Sequence, residues 1–495
     1  MDNKASYRTI IKSSSIFGGA QVFLTITYII RGKFLAILLG AAGMGISSLF
    51  VSSLSMINMF SGLGLNYSAV REISKSHVSG DLNTLSRILL IFRRWLLVSS
   101  LFGAFLTIMF SSLLSKYTFG NKDYTWHFIF LSIFVFLTIF NDGNIALLRG
   151  TRRIKDMAKA TLAGAVIGLI TGLPLYYFLA IKGIVPALII GAFSSYLISY
   201  YFAQKVKINK ITLSISESIK GGSEMAKLGI TLMVAGFMGS LTIYLINSYI
   251  SNYGSISDVG FYQAGTSITN QYIGLVFTAM SMDFFPRLSA ISNDNTEVRK
   301  MVNQQAEITI LAALPLLIIM ILTAPLLIQI LLTAEFNIIG SFIRWVAIGM
   351  IFKAAATAVG YISFAKGDRK VFLILEGIVG NLFTLSGSVI GYTIAGLNGI
   401  AIAFVLTSFA FLVIICIVTY LRYKFYFSIE FVKLFCVLFL IAICIHTVLY
   451  FYNNFYGYLI ASIIASFSFV YAYKGLDKRI GIRDIIHYYK NKIVK

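Results

Sequence analysis

The chain has 495 residues, of which 58% are hydrophobic and only 12% are Asp, Glu, Lys or Arg, and its mean hydropathy is +0.84. A water-soluble protein cannot hide so many apolar side chains in one core, so the composition excludes an ordinary soluble enzyme and predicts an all-α integral membrane protein. The net charge of +22 would suggest a nucleic-acid partner in a soluble chain. Here membrane topology explains it and no nucleic-acid partner is predicted.

Apolar stretches of about 20 residues predict fourteen membrane-spanning helices. The first six fall at 13–39, 43–66, 95–114, 125–148, 160–180 and 184–203. The next six fall at 228–250, 258–282, 306–332, 338–363, 371–392 and 397–420. A last pair falls at 430–450 and 455–473. The first stretch is longer than the apolar region of a signal peptide and lacks a cleavage site, so it is predicted to be a retained span.

The placement of Lys and Arg agrees with these spans. With both termini in the cytoplasm, most of the 41 Lys and Arg residues fall in cytoplasmic segments, three fall in external loops and the rest fall within or at the end of spans. Retained positive charge is typical of cytoplasmic loops. The pattern therefore predicts a multi-pass protein with both termini cytoplasmic, and the basic clusters are interpreted as orientation signals.

The chain also resembles itself at one constant offset. Gly45 maps to Gly260, Arg71 to Arg287, Gly150 to Gly367 and Gly183 to Gly399, each at an offset of 215 to 217 residues. Six spans per half predict a parallel repeat of two six-helix bundles around a central cavity, with two extra C-terminal helices. The predicted domains are a first bundle at 1–204, a cytoplasmic linker at 205–227, a second bundle at 228–421, an extra helix pair at 422–473 and a basic cytoplasmic tail at 474–495.

Two segments carry a family resemblance. They read LLGAAGMGISSLF from Leu38 and DVGFYQAGTSITNQYIGLVFTAMSMDFFPRLSA from Asp258. Together with the fourteen predicted spans, they resemble the Wzx-type polysaccharide flippases of the multidrug/oligosaccharidyl-lipid/polysaccharide exporter superfamily. The resemblance implies alternating-access translocation of an undecaprenyl-pyrophosphate-linked oligosaccharide across a bacterial inner membrane. Such a flippase would serve the biosynthesis of a surface polysaccharide, that is, O-antigen, capsule or exopolysaccharide.

The residues that match the family pattern have structural interpretations. Pro286 and Arg287 stand where the eighth span is predicted to leave the membrane, so Pro286 is expected to end the helix and Arg287 to meet the anionic inner leaflet. Gly45 and Gly260 stand early in the second span of each half. Because they lack a side chain, we expect them to allow close helix packing.

Four cations in or at the ends of spans are candidate anchors for a pyrophosphate, whose charge needs compensation away from water. They are Arg31, Lys33, Arg344 and Lys353. Arg31 and Lys353 are the leading candidates, because a guanidinium suits bidentate phosphate contacts and an ammonium is a compact charge. Arg31 and Lys33 lie about 200° apart on a helix, so both cannot face one cavity squarely. An interfacial position is the alternative for Arg31, Lys33 and Arg344.

Two acidic residues in spans, Asp142 and Glu376, are predicted either to balance these cations or to couple transport to an ion gradient,. The sequence holds no Walker motif, no HExxH or GxSxG motif and no Cys/His metal cluster,. The chain is therefore predicted not to be an enzyme and to need no cofactor. Coupling to an ion gradient is the energy input that the acidic residues would allow.

Three alternatives stay open at this point. A drug/cation antiporter of the same superfamily shares the repeat, although a cationic substrate would favour an acidic cavity. A lipid II flippase is a more distant resemblance. A glycan polymerase or ligase would carry a large external loop, whereas the predicted external loops are short. The predicted partners are a lipid-linked oligosaccharide, membrane lipids and, as a further expectation, polysaccharide polymerase machinery.

Overall fold

The structure is a computed structural model that describes residues 3–206, 208–209, 211–452 and 454–481. Within these ranges the side chains are described except at 3–18, 228, 231, 272, 275–283 and 480. Over the described residues the chain is helical and contains no strand. The predicted all-α membrane fold is therefore confirmed. Residues 482–495, most of the predicted basic tail, lie outside the described residues.

The chain divides into two compact units. The first comprises Met1–Gln263 with Leu331–Thr333, and the second comprises Ala264–Ile330 and Ala334–Lys495. The helices that begin in the first unit are α1 Asn3–Ser61, α2 Leu65–Ser79, α3 Leu82–Met109, α4 Ser111–Phe119, α5 Thr125–Gly150, α6 Ile154–Leu179, α7 Ile184–Ala203, α8 Ile215–Tyr253 and α9 Ile256–Ala290. The remaining helices are α10 Asn295–Leu331, α11 Gly340–Ala365, α12 Arg369–Phe372, α13 Gly380–Tyr423, α14 Ile429–Phe451 and α15 Phe455–Ile480.

Short polar residues set several of the helix starts. The Asp81 carboxylate accepts from the backbone N–H groups of Asn83 and Thr84 at the start of α3. Ser214 and Glu217 form a reciprocal capping box at the start of α8. These side chains satisfy backbone N–H groups that have no partner in the first turn of a helix. The cap of α8 places its start inside the segment predicted as a linker.

Ten helical segments of the described residues are long and apolar enough to cross a membrane. Three of them, Gly19–Ser61, Ile154–Ala203 and Arg369–Tyr423, contain 43, 50 and 55 residues. Unbroken helices of that length would measure roughly 65–80 Å, more than twice the hydrocarbon thickness of about 30 Å. Each of the three is broken near its middle.

The breaks fall between predicted spans. Gly40 interrupts α1 with φ 66° and ψ −167°, and Gly396 interrupts α13 with φ 58° and ψ −140°. A left-handed φ of this kind is readily adopted only by glycine. A short 3-10 turn, Ala180–Gly183, separates α6 from α7. Each break coincides with a predicted loop, whereas the total of fourteen spans and the parallel arrangement of the repeat stay predictions.

The same close backbone contact occurs at equivalent positions of the predicted repeat, once in each unit. A side chain on Gly183 would overlap the backbone carbonyl of Leu175, and a side chain on Gly399 would overlap that of Gly391. Both pairs are eight residues apart and are related by the offset of 216. The tip of the α6–α7 hairpin and the tip within α13 are therefore built alike, which agrees with an internal repeat.

The two units have different cores. In the first unit, α5, α6 and α7 pack on one another, and α1 packs on α6. In the second unit α11 packs on α13 and α14 and is the most buried long segment of the described chain. Of its residues, only Lys353 and Phe364 are exposed. An apolar helix that is buried on all sides has no polar face, so its one exposed charge stands out.

A cluster of hydrogen-bonded charged and polar residues lies in the second unit, directly after α11. The Asp368 carboxylate accepts hydrogen bonds from Arg422 Nε at 2.6 Å, from the Tyr423 hydroxyl at 3.0 Å and from the Val371 backbone at 3.3 Å. Partial burial alone would raise the pKa of Asp368, but these hydrogen bonds outweigh it and hold the pKa below its ordinary value of 3.8,. The cluster ties the start of α12 to the end of α13.

We expect Asp368→Asn to lower the unfolding temperature at pH 7. A carboxylate with a depressed pKa contributes stability above its unfolded-state pKa, and this contribution is lost as the pH falls through the folded-state value. The difference between wild type and variant should therefore shrink below about pH 3.9. Thermal unfolding in detergent across pH 2.5 to 7 measures it, with Asp123→Asn, an exposed residue, as the control for loss of one negative charge. A difference that does not change with pH would contradict the assignment.

Candidate functional site

A cavity of about 240 Å³ opens inside the first unit. It lies among α1, α5, α6 and α7, where small residues on α6 and α7 leave room between the helices. The small residues that line it are Ala160, Gly164, Ala165, Gly168, Ala187, Gly191 and Ala192. The polar and aromatic side chains that line it are Thr27, Tyr28, Arg31, Phe134, Thr138, Asn141, Thr161 and Ser195.

Arg31 is the one charged residue of this lining. Arg31 follows Thr27 by four residues and Tyr28 by three on α1, so its side chain neighbours both on that helix,. The half-buried guanidinium donates to the Tyr176 hydroxyl at 3.4 Å, and among the described residues it has no carboxylate within ion-pair distance. The cavity therefore contains an uncompensated positive charge. Lys33 is half-buried and does not line the cavity.

Asp142 lies beside this cavity on α5. Its neighbour Asn141 lines the cavity, and Asp142 itself is exposed. Its carboxylate is close enough to Arg149, seven residues further along the helix, for their charges to interact. Two helical turns separate residues seven apart and leave them on one face. Asp142 and Arg149 therefore form a pair of opposite charges on a single face of α5.

The second unit brings two of the predicted residues together. Lys353 is exposed on α11, and its charge interacts with that of the half-buried Glu376. The Lys353 ammonium lies 6.0 Å from the centre of the Phe404 ring, at the outer range of a cation–π contact,. Glu376 packs against Gly360 of α11, where a side chain would come within 2.5 Å of its carboxylate. The missing side chain at Gly360 thus leaves room for the carboxylate.

Glu376 stands in an unusual stretch of helix. Residues Leu373–Val379 form a π-helical turn between α12 and α13. The Asn381 side-chain amide donates to the backbone carbonyls of Glu376 at 3.1 Å and Gly377 at 2.9 Å. The Asn381 amide thus gives these two carbonyls a donor in the turn where the i→i−4 backbone hydrogen bonds of an α-helix are replaced. Such turns occur frequently at functional sites.

Arg344 is separate from this pair. It lies nine residues before Lys353, which places the two on opposite faces of α11 and roughly 13 Å apart along its axis. The buried guanidinium donates to the Ile321 carbonyl at 3.2 Å and to the Tyr458 hydroxyl at 2.9 Å. Pro325 follows Ile321 by four residues and has no N–H to give to that carbonyl,. Arg344 therefore links α10, α11 and α15 where Pro325 leaves a gap in the hydrogen-bond ladder of α10.

We expect Arg344→Leu to destabilise the protein by about 2 kcal/mol, because it leaves the buried Ile321 carbonyl without a donor. Tyr458→Phe should cost less, since it removes one hydrogen bond and leaves the carbonyl satisfied. Thermal unfolding of the purified variants measures both effects. Arg344→Leu unfolding at the wild-type temperature would contradict this role.

The glycines of the family pattern lie at one helix crossing in the first unit. A side chain on Gly45 would overlap the carbonyl of Ile256, and a side chain on Gly260 would overlap that of Ala41. Subtracting 215 from 256 gives 41, so the two contacts are equivalent under the predicted repeat. The Ser48 hydroxyl donates to Gln263 Oε1 at 3.0 Å, again across an offset of 215. This reciprocal crossing is the contact that a twofold-related pair of helices makes.

Pro286 does not end α9, and that expectation is wrong. The helix continues to Ala290, and both Pro286 and Arg287 are exposed within it. The residues next to a helical proline can stay helical when nearby groups satisfy the carbonyl that the ring displaces. The sequence pattern also missed Tyr176, which no motif distinguishes, and the Ser48–Gln263 pair, which the repeat offset could have revealed.

Residues 34–341 match the sequence model of a family described as "Polysaccharide biosynthesis protein". The Lipid III flippase of Escherichia coli (strain K12) is 20% identical over 351 residues, which are 70% of this chain and 82% of that protein. The Lipid III flippase of Shigella flexneri matches with the same identity and coverage.

Solved structures share the fold at low identity. The Lipid II flippase MurJ in an inward closed conformation superimposes with a TM-score of 0.73 at 16% identity, over 95% of this chain and 99% of that chain. An inward-facing multidrug resistance MATE family transporter superimposes with a TM-score of 0.69 at 15% identity, over 81% of this chain and 94% of that chain. The chain therefore has the fold of these membrane transporters.

Proposed function

Because the chain belongs to the polysaccharide biosynthesis protein family, within the predicted exporter superfamily, we propose that it is a flippase for undecaprenyl-pyrophosphate-linked oligosaccharides. It would move them from the cytoplasmic to the periplasmic leaflet of a bacterial inner membrane for surface polysaccharide biosynthesis. The superfamily that the sequence predicted is confirmed. The Wzx subtype, the glycan and the orientation of the termini belong to the proposal.

The observation that carries the proposal is Lys353, an exposed cation on the most buried helix of the second unit. A charge within a membrane span is costly, and such residues commonly mark a substrate path. A pyrophosphate head group needs a cation of this kind once it leaves water. Arg31 supplies a second uncompensated cation, in the cavity of the first unit, for another anionic group of the substrate. Lys33 and Arg344 are not needed for this assignment.

Charge balance is part of the proposal: Glu376 neutralises Lys353 when no substrate is bound, and the substrate pyrophosphate replaces the carboxylate. Asp142 and Arg149 would act as a similar pair in the first unit. Coupling of these carboxylates to an ion gradient is the alternative role. The relatives described above are flippases and transporters, which supports a transport role rather than an enzymatic one. Transport by alternating access and contact with polysaccharide polymerase machinery remain further parts of the proposal.

Two other functions have an observation in their favour. The extent of the match to the Lipid II flippase MurJ favours a lipid II flippase. The match to a multidrug transporter together with the exposed Asp142 favours a drug/cation antiporter. The uncompensated Arg31 in the cavity argues against a cationic substrate, because like charges repel in a low-dielectric site.

The test uses a deletion strain of the native bacterium. Mass spectrometry identifies the lipid-linked oligosaccharides of its membranes, and a membrane-impermeant label reports which leaflet exposes them. We expect a completed glycan lipid to accumulate facing the cytoplasm and to disappear on complementation. Accumulation of lipid II alone would favour the lipid II flippase. Greater sensitivity to cationic toxins without any lipid intermediate would favour the antiporter and refute the proposal.

A further inference from the structure

The cavity of the first unit has a distinctive hydrogen-bonding lining. Three threonines donate their hydroxyl hydrogens to carbonyls of their own helices: Thr27 to Phe23 at 2.9 Å, Thr138 to Phe134 at 2.6 Å and Thr161 to Met157 at 2.6 Å. A hydroxyl has one hydrogen to donate and two lone pairs that accept. These oxygens are therefore acceptors toward the cavity, and a ligand must bring donors to them.

Arg31 has the opposite requirement. Its guanidinium has five N–H donors and accepts nothing. Among the described residues its hydrogen-bond partner is Tyr176 alone, so it has donors and a full positive charge left for a ligand. A single anionic group with two oxygens, such as a carboxylate, matches its planar fork. A ligand that combines an anionic acceptor with several hydroxyl donors would therefore complement both Arg31 and the threonine oxygens.

The size of the cavity limits the ligand. About 240 Å³ is below the roughly 300–1,000 Å³ of sites for drug-sized ligands, which leaves space for one sugar ring and not for an oligosaccharide. Tyr28 and Phe134 add aromatic surface to the lining. The apolar C–H face of a sugar ring packs on such surface while its hydroxyls point to the threonine oxygens.

We propose that this cavity binds one acidic sugar of the transported glycan, with the carboxylate on Arg31 and the ring hydroxyls donating to Thr27, Thr138 and Thr161. The proposal rests on the flippase function proposed above and deepens it by naming the chemical class of one sugar. A pyrophosphate fits this cavity less well, because a fully ionised phosphate has no hydrogen to give to the threonine oxygens and carries more negative charge than one guanidinium neutralises. Lys353 remains the proposed pyrophosphate anchor.

The direct test is ligand binding to the purified full-length protein in detergent. D-glucuronate is the probe, followed by saturation-transfer NMR and competition with D-glucose, acetate or inorganic phosphate. We expect glucuronate to bind at least tenfold more tightly than glucose, which lacks the carboxylate, and than acetate, which lacks the hydroxyls. Phosphate should compete weakly. Equal binding of glucose, or displacement of glucuronate by equimolar phosphate, would overturn the proposal.

Variants separate the two requirements. Arg31→Gln should reduce glucuronate binding about tenfold or more and bring it to the level of glucose. Thr138→Val keeps the shape and removes one acceptor, so it should weaken glucuronate and glucose alike. Thr171→Val is the matched control, because Thr171 makes the same bond to its own helix, to Ile167 at 2.8 Å, and does not line the cavity. Equal loss in Thr171→Val and Thr138→Val would refute the role of Thr138.

The two proposals fail in different ways. If glucuronate does not bind and the deletion strain still accumulates a lipid-linked oligosaccharide, the flippase function stands and the acidic-sugar site is wrong. If glucuronate binds through Arg31 and no lipid intermediate accumulates, the site stands and the flippase function is wrong. A deletion strain that accumulates a glycan lipid without any acidic sugar would also overturn the site.

Discussion

Lys353→Met should reduce transport about 100-fold, which corresponds to about 2.7 kcal/mol. The variant removes the cation that is proposed to hold the pyrophosphate and leaves the Glu376 carboxylate without its opposite charge. The variant should also lower the unfolding temperature, because removing one partner leaves the charge of the other unpaired. Leaflet exposure of the accumulated glycan lipid in the complemented deletion strain measures transport, and thermal unfolding in detergent measures stability.

Two controls separate charge balance from substrate binding. Lys353→Arg keeps the charge and should keep most of the transport. The double variant Lys353→Met/Glu376→Gln removes both charges, so it should recover the unfolding temperature without recovering transport. Recovery of transport in the double variant would show that Lys353 only neutralises Glu376. Full transport in Lys353→Met would remove Lys353 from the substrate path.

Gly45→Ala should destabilise the protein by about 1–3 kcal/mol, the usual range for overpacking. The added carbon would overlap the backbone carbonyl of Ile256, which cannot move aside as a flexible side chain could. Gly260→Ala should have a similar effect through the carbonyl of Ala41. The double variant should cost less than the sum of the two, because one separation of the helices relieves both overlaps. Thermal unfolding of purified protein measures each variant.

The matched control for this crossing is Gly19→Ala in the part of α1 before the break at Gly40, where an added carbon meets nothing within 4 Å. It should be neutral or should stabilise by up to about 1 kcal/mol, because alanine is a better helix former than glycine. If Gly45→Ala and Gly19→Ala unfold at the same temperature, the close crossing does not exist in solution.

The class of fold was predictable because lipid as a solvent leaves few options. Long apolar stretches in lipid must be helical, since every backbone group has to find its partner within the chain. The breaks at Gly40, at 180–183 and at Gly396 were predictable for a related reason, because a helix of more than about 20 apolar residues exceeds the membrane. Helix ends at interfaces were less predictable, and Pro286 shows why: a proline weakens a helix locally without fixing where it ends.

The functional residues were harder to rank from sequence. Arg344 and Lys353 are both cations on α11, and α11 is apolar around its whole circumference, so no periodicity tells which faces are buried. The structure separates them because Arg344 donates to the Ile321 carbonyl that Pro325 leaves free on α10, 23 residues away in sequence. The acceptor lining around Arg31 was equally hidden, because it depends on which way each threonine hydroxyl points.

The reciprocal crossing of α1 and α9 also bears on how the protein is made. The first unit includes residues up to Gln263, and the Ser48–Gln263 bond joins positions 215 residues apart. During synthesis the early helices therefore remain without this crossing until α8 and the first turns of α9 have emerged from the ribosome. Contacts that span so much chain form late and slowly. Nascent chains that stop before residue 263 should thus be the most vulnerable to quality-control proteolysis in the membrane.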